Sequence, residues 1–60
     1  MNGIKIGDKV RVINLHSSDF NRTGYIANGE MSFVLVHYEV RFDNGEVKSF
    51  SSAELEKVGV

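Results

Sequence analysis

Apolar and polar positions alternate along most of this chain, and the longest alternation runs from Met31 to Phe42. One side carries Ser32, Val34, Val36, Tyr38, Val40 and Phe42; the other carries Met31, Phe33 and Leu35, then His37, Glu39 and Arg41. A period of two is the signature of a β-strand with one face on a core. The first set reads as a core face throughout. The second begins apolar and turns polar halfway. Met31, Phe33 and Leu35 are therefore either folded inward by a bend in the strand or offered to a partner.

Shorter alternations supply the rest of a sheet. Residues 1 to 7 read as a lead-in, with Ile4 and Ile6 packing on the body of the fold. Gly7-Asp8 marks a turn. Lys9 to Asn14 places Val10 and Val12 inward and Lys9 and Arg11 outward. Leu15 to Arg22 is an irregular polar loop, with Phe20 tucked beneath it or displayed on it. Thr23 to Asn28 is a short second strand in which Gly24 suits a close backbone approach or a bulge. Asn28-Gly29 signals a hairpin into the long strand.

Asp43-Asn44-Gly45 turns the chain into a fourth strand, and two registers compete there. A two-residue Asn-Gly turn buries Val47 and exposes Phe50. A three-residue loop with Gly45 left-handed pairs Tyr38 with Phe50 and turns Val47 outward. The second is preferred, because burying Phe rather than Val gains roughly 1 kcal/mol on area. Ser51-Ser52-Ala53-Glu54 agrees with it as a capping box, with Phe50 and Leu55 in the stapling positions. One helical turn is expected at residues 52 to 55, and a fifth strand at Glu56 to Val58. The expected core is Val10, Val12, Ile26, Val34, Val36, Tyr38, Val40, Phe42, Phe50, Leu55 and Val58.

The 60 residues read as a single domain, 1 to 60, near the lower size limit for independent folding. There is no cysteine, so neither a disulfide nor a thiolate metal site supplements the core. A closed sheet suits such a chain because it removes edges. No apolar run approaches the ~18 residues of a membrane span, and no signal sequence opens the chain. A cytoplasmic protein with no membrane association is the expectation.

Lys plus Arg number seven and Asp plus Glu eight, for a net charge of −1. That balance speaks against a protein dominated by phosphate contacts. The distribution is uneven, with the first 25 residues net positive and the remainder net negative.

These elements describe an all-β, five-stranded SH3-like barrel with a one-turn helix before the last strand. Gly7-Asp8-Lys9-Val10-Arg11-Val12, followed by Gly24-Tyr25-Ile26, resembles the opening of KOW-type barrels. Tyr38 to Gly45, with Phe50 and Glu54-Leu55, resembles the second half of Tudor-type barrels. The run from residue 5 to 58, including Phe20-Asn21 and Gly24-Tyr25-Ile26-Ala27, is also similar to the photosystem I reaction-centre subunit IV family. That resemblance implies a docking subunit and no enzyme. The KOW resemblance implies contact with RNA or the ribosomal machinery through basic strand faces and loops. A Tudor-like aromatic cage is not expected, because only Tyr25 falls near a matching position and Trp is absent.

Two candidate surfaces follow. The first is the apolar stripe Met31, Phe33 and Leu35, a protein-docking patch. The second, for nucleic acid, is the basic set Lys9, Arg11, Arg22, Arg41 and Lys48 with Phe20 and Tyr25 as stacking faces. His16 and His37 read as exposed surface residues, without the ligand spacing of a metal site. His16, Ser17, Ser18 and Asp19 are consecutive loop residues, whereas a catalytic triad takes its members from separate rigid elements. No catalytic residue, metal, cofactor or small-molecule substrate is expected. The expected function is non-enzymatic docking on a protein partner or larger complex, with nucleic-acid or ribosome binding as the alternative.

Overall fold

The computed structural model describes residues 3–31 and 36–59 of the chain. The fold is all-β: β1 (Lys9–Val12), β2 (Thr23–Met31), β3 (Val36–Phe42), β4 (Val47–Ser51), a 3₁₀ turn (Ser52–Glu54) and β5 (Leu55–Lys57). All pairings are antiparallel, in the order β4-β3-β2-β1-β5. That order is compatible with an SH3-like fold. The expected closed sheet is replaced by an open one, since β4 and β5 are its two edges and do not pair. The 3₁₀ turn joins these edges directly. Phe50 of β4 and Leu55 of β5 consequently share one core with Val10, Val12, Ile26, Val40 and Phe42. Tyr38 and Ile4 pack against that core while partly exposed.

The turn after β3 has the three-residue form. Gly45 takes φ +87°, its N–H donates to the Phe42 carbonyl at 2.9 Å, and Tyr38 lies opposite Phe50. Phe42 and Phe50 meet edge to face, with ring centroids 6.0 Å apart. After β4, the Glu54 carboxylate reaches back to the Ser51 backbone N–H at 2.9 Å and accepts from its hydroxyl at 3.2 Å. Asn14 Nδ2 donates to the same carboxylate at 2.9 Å, tying the end of β1 to the turn.

Gly24 sits between Val10 of β1 and Phe42 of β3. A Cβ at this position would lie 2.6 Å from the Arg41 carbonyl oxygen and 2.8 Å from Val40 Cγ1. The close approach needs glycine, because backbone cannot yield as a flexible side chain does.

Several expectations are corrected. Asn28-Gly29 is not a hairpin turn: β2 runs through it, with a bulge between Ile26 and Asn28, as far as Met31. Gly29 does not adopt the positive φ that a type I′ turn demands. Met31 therefore ends β2, its backbone opposite Val36 at the start of β3, instead of opening the third strand. Val58 is half-buried and outside the core. With Leu55 opposite Val12 and Lys57 opposite Val10, alternation turns Val58 to the other face. Ile6 is 68% exposed, against its expected packing. Val34 lies outside the described residues, as does the side chain of Val36.

Candidate interaction face

The basic residues divide between the two faces of the sheet. On β4, the alternation that turns Phe50 inward turns Lys48 the same way, opposite Val40. Its ammonium emerges at the end of the core and meets Asp19 Oδ2 at 2.9 Å and Oδ1 at 3.2 Å. Arg22 closes the same end. Its guanidinium lies 4.0 Å from the Phe42 ring centroid, in cation–π contact, and donates to Asp19 Oδ1 at 2.8 Å and Glu46 Oε1 at 3.2 Å. Asp19 is only 6% exposed. Its hydrogen bonds from Lys48 and then Arg22 hold its carboxyl below the ordinary carboxylate range. Glu46 is lowered in the same direction by Arg22 and Asn44.

Arg22 and Lys48 are therefore committed to an internal charge cluster and do not join the other basic residues in a common surface. Asp19 itself was hidden from sequence reading, since its cationic partner on β4 is 29 residues away. The Ser17 hydroxyl accepts the Asp19 backbone N–H at 3.0 Å and so shapes the loop. Phe20 is displayed at 44% exposure, and Leu15 of the same loop is exposed as well. This loop thus buries its carboxylate and turns its large apolar side chains outward.

The opposite, outer face brings three sequence candidates together. Lys9 of β1 pairs with Tyr25 of β2, and Tyr25 pairs with Arg41 of β3. The row continues to Val47 of β4. At its other end the Val58 N–H donates to the Lys9 carbonyl at 2.9 Å. A single row of side chains thus crosses the sheet, valine at each end and Tyr25 between two cations. Tyr25 is 51% exposed, and Lys9 and Arg41 are exposed with it.

Ion pairing separates this row from its surroundings. Arg11 pairs with Glu56 at 3.6 Å and Lys57 with Asp8 at 3.5 Å, while Arg22 and Lys48 are bound as described. Among the residues whose side chains are described, no carboxylate stands within 4 Å of the Lys9 or Arg41 charged groups. Glu39, exposed and two residues before Arg41 on the same face, bounds the row on one side. Arg11 and Glu56 bound it on the other.

Of the apolar stripe, Phe33 and Leu35 lie outside the described residues, as does the Met31 side chain. His16 and His37 are both exposed. Among the described residues no three of His, Cys, Asp or Glu converge as a metal site. No helix there is long and apolar enough to cross a membrane. No protein-family profile and no curated protein matches this chain.

Proposed function

We propose that this chain is a small, non-enzymatic interaction module that docks on another protein or a larger complex. The observation that carries this reading is the outer row, where Lys9 and Arg41 stand exposed on either side of Tyr25 while four other basic residues are held by carboxylates. Tyrosine and arginine side chains at the centre of a patch, here Tyr25 and Arg41, are among the groups that most often anchor protein contacts. The stripe Met31, Phe33 and Leu35 is the apolar contribution to the same docking role. A cytoplasmic location belongs to this reading.

A KOW-like contact with nucleic acid is the second reading, favoured by the flanking of Tyr25 by two cations, an arrangement suited to stacking a base and neutralising adjacent phosphates. The overall charge of −1 weighs against it. Capture from native lysate, with and without nuclease, separates the two. Retention of an identified protein after nuclease treatment, lost in Phe33→Ser or in the Lys9→Glu/Arg41→Glu double variant, supports docking. Recovery only while nucleic acid is intact overturns docking in favour of the second reading.

A further inference from the structure

We infer that the outer row binds a short acidic segment of a partner protein, laid in extended form across the strands, with two carboxylates flanking an apolar side chain. This deepens the docking reading and rests on it.

The row is a fixed template. Its members sit on neighbouring strands of one antiparallel sheet, so Lys9 and Arg41 stand about one strand spacing, ~4.8 Å, on either side of Tyr25. Their charged groups are carried on long flexible stems over a span of ~10 Å between backbones. An extended peptide presents alternate side chains on one side at ~6.8 Å intervals. Acid, apolar and acid at alternate positions therefore meet Lys9, Tyr25 and Arg41 within reach of those stems. Val47 and Val58 continue the row beyond the cations and provide apolar ground for residues on either side.

Charge complementarity selects this occupant over a nucleic acid strand. The row offers two cations, and the adjoining positions offer Glu39 on one side and the Arg11–Glu56 pair on the other. A nucleic acid strand carries a phosphodiester charge on every nucleotide, and some of those charges would fall against Glu39 and Glu56. A segment with only two well-spaced carboxylates avoids them. A basic segment meets like charge at both cations.

The test uses the whole chain, isotopically labelled, and amide chemical shifts on titration. The probe is a capped Gly/Ser peptide with glutamates at alternate positions on either side of a leucine. Its all-glutamine counterpart and an oligouridylate are the comparisons. Expected shifts map to Lys9, Tyr25 and Arg41 with the glutamate peptide, and are about tenfold weaker in affinity at high salt or with glutamine. Lys9→Gln/Arg41→Gln abolishes them while leaving the dispersed spectrum of the folded sheet, and Tyr25→Ser weakens them. Equal binding of the glutamine peptide, preferential binding of the oligouridylate at the same residues, or no shift with the glutamate peptide overturns the inference. A protein captured from lysate with the row neutralised, and released by Phe33→Ser, leaves docking standing while removing the row as its site.

Discussion

The Asp19 carboxylate and the Lys48 ammonium meet at 2.9 Å, joining the loop after β1 to the edge strand β4. Arg22 adds a second cation from the loop itself and rests its guanidinium on Phe42. One acidic side chain thereby fixes a loop, a strand edge and one end of the core.

That cluster sets the acid limb of stability. The folded-state pKa of Asp19 lies below its ordinary value of 3.8, so the pairing contributes fully above that value. The contribution is lost as pH falls through the lower folded-state pKa. Glu46 and Glu54 act with the same sign. Urea midpoints should stay nearly level from neutral pH to about pH 5 and decline below about pH 4. Asp19→Asn should lower the neutral-pH midpoint and flatten the decline, because its native carboxylate no longer takes up a proton.

Gly24→Ala should destabilise by about 3 kcal/mol, the upper range for forcing extra volume into a packed interior. For a domain of this size that is a large part of the total. Gly29→Ala is the matched control, since its added Cβ would meet the Tyr38 ring at an ordinary 3.5 Å. Thermal denaturation of the two variants should differ clearly; similar midpoints would contradict the close approach at Gly24.

Ser51→Ala should cost about 1 kcal/mol, as loss of a capping side chain does. Glu54→Gln should cost a comparable amount at neutral pH and approach the wild type in acid, where Glu54 is protonated anyway. Chemical denaturation at both pH values checks this, and a pH-independent difference would assign the loss to packing.

Phe33→Ser and Leu35→Ser should abolish association with a partner or with a second copy while keeping a folded sheet. Size-exclusion and dispersed amide spectra report the two properties separately. Unfolding of both variants would make these residues core.

Much of this architecture follows from local pattern. The competition between Val47 and Phe50 for the inner face decides the β3–β4 register, and Ser51 with Glu54 marks where β4 gives way to the turn. The same reasoning fails at Asn28-Gly29, because that signal is local while continuation of β2 is settled by pairing with Tyr38 and Glu39 across the sheet. Alternation also carries more than the apolar residues suggest. Lys48 follows Phe50 inward, and Val58 is turned outward by Leu55, whatever their hydropathy. The Lys9–Tyr25–Arg41 row was within the sequence set but not separable from Arg22 and Lys48 until strand register was known. Burial of Asp19 depended on partners supplied by distant segments.

The outer row is composed from β1, β2 and β3, one side chain from each. No stretch of the sequence contains it, and no single hairpin displays it whole. A ligand that recognises Lys9, Tyr25 and Arg41 together therefore senses whether the chain is assembled. It passes over unfolded or partly paired copies, and by mass action its binding energy is returned to the folded state.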